Sequence, residues 1–495
     1  MRIIGNNPQL SRQTQGTASG AITGGKPVLV NTDGTVSNVI EVTEGLGSTT
    51  VFESANIRII ASTFDSNSNR VVVAYRDAGN SNYGTAVVGS VSGTSISFGT
   101  PVVYESATIT ANNAITFDSN SNKVVVAYED GGNSDYGTAI VGTVDSSDNS
   151  ISFGSATVFE SDNLGSGGSS GGALVATFDS NSNKVVLIYR DQNNSSYGTA
   201  IVGTVSGTSI SFGTAVVFNS GTTSHSSVTF DSNSNKVVVV YRDESNSSAG
   251  TAIVGTVSGT GISFGSEVVF STGLIVYTSS TFDTNSNKVL ISYVNYTDSE
   301  KGSAIVGTVS GTSISFGTAA IFNADKTGYN QASFNSNTNA HTIVFKEEDS
   351  GYSITGNIII ATISGTNVSF GSKITFETGG QYFENSSVTF DSNANKIVIA
   401  YQDTDNSNYG TAGVYLDAVP ANLTSENFIG FAEDTVATGQ PVTINTKGAI
   451  DENQSSLTPA QQYFVQTNGT LGTSADDPSV VAGTAVTATK LIVKG

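Results

Sequence analysis

Short runs of Val, Ile, Thr, Phe and Tyr, broken by clusters of Gly, Asn, Asp and Ser, fill most of this chain, and one such arrangement returns seven times. The recurring phrase is Thr-Phe-Asp-Ser-Asn-Ser-Asn-Lys, with small variations, followed by a Val-rich run and an aromatic residue. Its Phe falls at Phe64, Phe117, Phe178, Phe230, Phe282, Phe334 and Phe390, so successive copies stand 53, 61, 52, 52, 52 and 56 residues apart. A period near 50 residues is too long for a solenoid coil and too short for a tandem immunoglobulin-like domain; it suits the four strands of one propeller blade.

The first copy illustrates the reading. Strand a is Ile59 to Phe64, and the turn Asp65-Ser66-Asn67-Ser68-Asn69 leads into strand b, Val71 to Tyr75. A polar loop, Asp77 to Asn82, precedes strand c, Thr85 to Val91. The turn Ser92-Gly93-Thr94 then leads to strand d, Ile96 to Tyr104. β-branched and aromatic residues occupy the strands and turn formers the connections, with no 3.6-residue apolar period to suggest helix.

The two ends of the array predict its closure. Thr50-Val51-Phe52-Glu53-Ser54, ahead of the first copy, matches the d strand Val102-Val103-Tyr104-Glu105-Ser106, whereas the last copy stops after its c strand, Thr411 to Leu416. A spare strand at the start and a missing one at the end predict an all-β, seven-bladed β-propeller in which an N-terminal d strand closes the last blade. Such closure removes exposed sheet edges.

Composition narrows the function. The 495 residues are only 12% charged, contain 54 Gly and no Cys, and carry a net charge of −21. That field repels nucleic acid and anionic membranes, and thiol chemistry is excluded. No apolar run approaches the length of a membrane span. The start, Met1 to Pro8, lacks the apolar core of a secretory signal, which leads to the expectation of a particle assembled in the cytoplasm and released by lysis.

Outside the repeats, Ala21 to Val36 aligns without gaps to Thr435 to Ile450, sharing Gly-x-Pro-Val-x-(Val/Ile)-Asn-Thr-x-Gly from Gly25 and from Gly439. Each copy reads as strand, tight turn (Asp33-Gly34 or Lys447-Gly448) and strand. Three segments are therefore expected: 1–45, an N-terminal β segment pairing with the C-terminal domain; 46–420, the propeller; and 421–495, a C-terminal β domain. Insertion of the ring into the flanking domain fits closely spaced termini.

Phe428-Ile429-Gly430-Phe431-Ala432, Leu457 to Tyr463, Asn468-Gly469-Thr470-Leu471 and Ala482 to Ala485 resemble a module of tailed-bacteriophage fibre and tail-associated proteins. Met1 to Pro8 and Ser19 to Val39 resemble the starts of similar marine-phage proteins. The resemblance covers about a quarter of the chain. It implies a virion appendage that touches the host, with other tail or capsid proteins as partners and, as is common for such fibres, a homotrimer. It carries no catalytic residues.

The a–b and c–d turns, on one face, are nearly uniform between copies. The d–a and b–c loops, on the other, diverge sharply, and divergent loops on a rigid scaffold are where binding sites are built. Aromatics unique to single loops gather in the fifth to seventh repeats. With neighbouring polar residues they give the candidate ligand-binding set Tyr277, Tyr296, Asp325, Tyr329, Tyr352, Tyr382, Phe383 and Glu384, an aromatic platform with hydrogen-bonding groups suited to a sugar. Asp298 and Asn385 lie nearby in sequence. Rings packed between loops are the plainer account of the same residues.

Other constellations have structural explanations. Asp65-x-Asn67-x-Asn69 resembles half an EF-hand loop, yet Arg or Lys stands where Gly is needed and no twelfth-position Glu follows; a capped hairpin turn is the simpler account. Tyr75, Tyr128, Tyr189, Tyr241, Tyr293, Phe345 and Tyr401 share one register and read as packing between repeats. Arg76, Arg190 and Arg242 share another and read as surface ion-pair partners. His225 and His341 have no evident triad or metal partner. The expectation is a non-enzymatic appendage or adhesin without cofactor, metal or catalytic residues, binding host-surface glycan or protein. The alternatives are a purely structural virion protein and a propeller glycan hydrolase, which would need two suitably spaced carboxylates.

Overall fold

Strand after strand forms because β-branched runs alternate with turn residues at every ten or so positions. The computed structural model describes residues 12–164, 174–348, 354–378, 385–419 and 421–494, apart from the side chains of residues 111 and 112. Among them the protein is all-β; its helical residues lie in three 3-10 turns, Gly131–Asn133, Glu244–Asn246 and Tyr296–Asp298. The chain divides into two compact units: Gly45–Leu416, which holds the repeats, and Met1–Glu44 with Asp417–Gly495.

In the first repeat the strands are Thr50–Asp65, Arg70–Asp77 and Tyr83–Ser92, each antiparallel to the next. The expected single strand Ile96 to Tyr104 is in fact broken. Ser95–Phe98 pairs with the end of Tyr83–Ser92, and Val102–Asp118 pairs with its beginning before running on as the first strand of the second repeat. The break falls at Gly99-Thr100-Pro101. Pro101 has no amide hydrogen for a ladder, and a Cβ on Gly99 would lie 2.1 Å from the Asn149 carbonyl of the next repeat.

The uniform a–b turns have a local cause. Asp65 Oδ1 accepts the backbone N–H of Asn67 at 2.9 Å and of Ser68 at 3.0 Å. The pattern recurs at Asp118, Asp179, Asp231, Asp283, Asn335 and Asp391. The last Asn of each turn, from Asn69 to Asn395, holds a left-handed φ of 54–56°, a conformation Asn tolerates better than most residues. The carboxylate is thus occupied in folding the turn.

Consecutive repeats lock through aromatic pairs. Tyr75, Tyr128, Tyr189, Tyr241, Tyr293, Phe345 and Tyr401 are all buried. Each packs against Phe52, Tyr104, Phe159, Phe218, Phe270, Phe322 or Phe376, in that order, from the preceding fourth strand, with centroids 5.1–5.4 Å apart. The first of these pairs uses Phe52, so the early segment plays the same part for the first repeat as each later repeat plays for its successor. Thr50–Asp65 accordingly pairs with Tyr409–Leu416, with Glu53 opposite Gly410 and Thr50 opposite Ala412, and Gly45–Leu46 pairs with Tyr415 and Leu416. The first strands of successive repeats contact one another, and Ser386–Asp391 of the seventh contacts Thr50–Asp65 of the first. There Ser62 Oγ lies 2.7 Å from both Ser387 Oγ and Thr389 Oγ1.

In the flanking unit the two ends of the chain share a five-stranded sheet. Gln13–Thr17 pairs with Pro441–Asn445, and Pro27–Val30 pairs with Phe428–Ala432. The first copy of the flank motif is a hairpin, Pro27–Val30 with Val36–Asn38. The second copy departs from expectation: Pro441–Asn445 stays in this sheet, while Ile450–Asp451 crosses to a second one and pairs with Lys490–Val493. Leu29 and Phe431 pack with Val465 and Leu491 in the core beneath.

Candidate ligand-binding site

The first strands of all seven repeats line one cavity of about 670 Å³, from residues 58–62 in the first repeat to 385–388 in the seventh. What fills its walls is decided by a local defect in those strands. In four repeats the register with the second strand slips by one residue, between Arg58 and Ala61, Ser224 and Ser227, Val276 and Ser279, and Gly328 and Gln331, and in the second repeat it slips by two, between Ile109 and Asn113. Each slip is a β-bulge, which re-aims a side chain. Ile59, His225, Tyr277 and Tyr329 sit in the four one-residue bulges with φ of 54, 50, 52 and 44°, and all four line the cavity. For bulky or β-branched residues this conformation is uncommon and costs on the order of 1–3 kcal/mol each.

The neighbouring repeat holds each strained residue in place. Tyr277 N–H donates to His225 Nδ1 at 3.0 Å, and the Thr278 hydroxyl donates to the His225 carbonyl. The Asn330 side-chain amide donates to the Tyr277 carbonyl. Ile59 N–H donates to Asn385 Oδ1 at 3.0 Å. These bonds carry rings into contact: His225 meets Tyr277 edge-on with centroids 5.4 Å apart, and Tyr277 and Tyr329 lie 4.6 Å apart at 37°. Lys346 Nζ stands 5.7 Å from the centre of the Tyr329 ring. Burial of His225 lowers its pKa to about 3, with Arg242 adding to the effect against the opposing pull of Glu244. The imidazole is therefore neutral near pH 7 and free to accept the Tyr277 amide.

Elsewhere on the wall Arg58 and Arg76 occupy directly opposed positions of adjacent strands, and both line the cavity. Arg76 Nη1 donates to the Thr110 carbonyl at 2.7 Å, while its Nε is buried without a partner. Burial, followed by Arg58, lowers the Arg76 pKa. The expected surface ion pairing therefore fails for Arg76. It holds for Arg242, 2.5 Å from Glu244, whereas Arg190 donates to the Ser196 hydroxyl at 3.0 Å.

Of the residues singled out from sequence, Tyr277 and Tyr329 come together on the cavity wall. Tyr296 is 41% exposed on its 3-10 turn, close to Tyr277 and Glu300; burial of its remainder is the chief cause of a raised hydroxyl pKa. Asp325 is exposed, and its carbonyl accepts from the Asn323 amide and the Thr327 hydroxyl. Tyr352, Tyr382, Phe383 and Glu384 lie outside the described residues. His341 is buried against Phe334, 3.7 Å from Asp283.

Arg58, Ile59 and Asn330 were not picked out by sequence, and Arg76 and His225 were weighed there without being placed in the site. One signal could have found Ile59, His225, Tyr277, Tyr329 and Asn385 on the wall: five residues before the repeated Phe, the seven copies carry five different residue types in an otherwise repetitive chain.

No protein-family model matches the sequence, and no curated protein matches it. Among solved structures, the BP39L lectin of Burkholderia pseudomallei superposes over 74% of this chain and 100% of its own, with a TM-score of 0.51 at 11% identity. The periplasmic gluconolactonase of Pseudomonas aeruginosa covers 78% of this chain and 99% of its own, with a TM-score of 0.44 at 10% identity. The likeness to the lectin is one of fold.

Proposed function

We propose that the repeat unit is a seven-bladed β-propeller and that its cavity binds a glycan without cleaving it. Completion of the seventh repeat by Thr50–Asp65, the contact of the seventh first strand with the first, and the fold shared with a lectin support this reading. The observation that carries the function is the Tyr277–Tyr329 pair, held by two left-handed bulges beside the exposed Gln331 on the cavity wall. A sugar offers a face of C–H bonds and a rim of hydroxyls. Flat rings suit the former and the exposed Gln331 amide the latter, an apolar wall with a few placed polar groups.

The setting we propose is a tailed-phage virion appendage binding host-surface glycan, which rests on the flank resemblance to fibre proteins. Full-length protein presented with an array of bacterial-envelope oligosaccharides should bind a subset of them. Tyr329→Ala should weaken that binding about tenfold or more, as expected for removal of a central aromatic anchor, with the unfolding midpoint as a control for folding. Equal binding by both proteins would remove the cavity as the site, and release of sugar from the array would move the protein to the hydrolases.

A second reading, a virion spacer that binds other virion proteins, has one observation in its favour. The fourth strands expose an apolar residue at the same place in six copies: Val51, Val103, Val158, Val217, Val269 and Ile321. Labelling of intact particles by electron microscopy, with and without glycan competitor, separates the two.

A further inference from the structure

We infer that the glycan bound in the cavity is acidic, with its carboxylate or sulfate received by Arg58 and Arg76. The inference rests on the glycan-binding reading and names the class of sugar.

The two guanidinium groups belong to directly opposed residues of neighbouring strands. Like charges in that arrangement repel and weaken a sheet. Neither arginine makes an ion pair among the described residues, and the described residues lining the cavity include no Asp or Glu. Two adjacent cations thus face the cavity without a countercharge, in a chain whose net charge is −21. The pair is also partly prepared for a ligand. Arg76 is fixed by its bond to the Thr110 carbonyl, and its Nε is withdrawn from solvent without an acceptor. Guanidinium groups suit carboxylate and sulfate because their planar fork offers parallel donors.

The order of repeats around the cavity places this pair relative to the rings. Tyr277 and Tyr329 belong to the fifth and sixth repeats, Asn385 to the seventh and Arg58 to the first. Asn385 Oδ1 holds the Ile59 amide, directly beside Arg58. One sugar residue over the tyrosines can therefore be followed, past Asn385, by an acidic substituent at the arginines.

Calorimetric titration of the full chain tests this with three probes: a hyaluronan hexasaccharide (carboxylate), a heparin hexasaccharide (sulfate and carboxylate) and neutral maltohexaose. At least one acidic probe should bind about tenfold or more tightly than the neutral one, the worth of a charged hydrogen bond. The preference should shrink as NaCl rises from low to high concentration. Arg58→Gln, a change at an exposed position, should reduce acidic binding about tenfold more than neutral binding, and Tyr329→Ala should reduce both. Preference for hyaluronan over heparin would assign the anion as carboxylate, and the reverse as sulfate. Equal affinity for acidic and neutral probes, or a preference untouched by both Arg58→Gln and Arg76→Gln, would overturn the acidic class while leaving the glycan reading intact. Failure of every probe, together with a silent glycan array, would overturn both.

Discussion

His225 condenses the chemistry of the site into a single side chain. It is 9% exposed, accepts the Tyr277 amide and is neutral because burial holds its pKa near 3. In the unfolded chain an imidazole titrates near 6.5. Below that pH the unfolded state takes up a proton that the folded state refuses. This contribution to stability is therefore complete above about pH 6.5 and falls by up to about 1.4 kcal/mol per pH unit down to about pH 3. Urea unfolding at pH 7, 5.5 and 4 should show the decline, with a shallower one for His225→Asn. Identical slopes would mean that the imidazole is not shielded as its burial implies. Burial likewise lowers the pKa of His341 despite nearby Asp283, so its contribution has the same sign.

At the scale of elements, much was legible and the failures have physical causes. Strands b and c of the first repeat follow from β-branched runs between Asn- and Gly-rich turns, and the structure places them within two residues of the sequence reading, at Arg70–Asp77 and Tyr83–Ser92; strand a, expected from Ile59, instead continues the segment that begins at Thr50. The break in the fourth strand was hidden because what forces it is a carbonyl from another repeat. That contact recurs: a Cβ on Gly154 would lie 1.9 Å from the Thr208 carbonyl. Gly154→Ala must push two backbones apart, and it should destabilise the protein by roughly 2–4 kcal/mol, the range of strained core substitutions. Chemical denaturation checks this; a loss under about 0.5 kcal/mol, typical of an unconstrained surface site, would show that the junction yields. The bulges were equally hidden, since local propensity predicts a regular strand through Ile59 and Tyr277 and the distortion is fixed by bonds to neighbouring repeats. Tyr277 and Tyr329 were found as exceptions to a repeat, whereas Arg58 was not considered and His225 was weighed only as a catalytic or metal-binding group.

For the whole molecule, the decisive element is the early strand. Phe52 packs on Tyr75, and Glu53 accepts the Tyr75 hydroxyl at 3.0 Å. The same strand also pairs with Tyr409–Leu416. Phe52→Ala should therefore cost about 3–5 kcal/mol, the usual range for a large buried aromatic, and it should raise hydrogen exchange in both the first and seventh repeats at once. Protection lost in the first repeat alone would argue against a shared junction.

That same junction sets the order in which the molecule can be finished. Asn56 leaves the ribosome about 350 residues ahead of its partner Tyr409, a delay of tens of seconds at roughly 5–20 residues per second. Until then the newborn chain carries that early strand without its partner. A transcript cut short anywhere before the last repeat yields a product whose early strand has lost Tyr409–Leu416, one that cellular proteases can tell from the finished molecule by its loose seam.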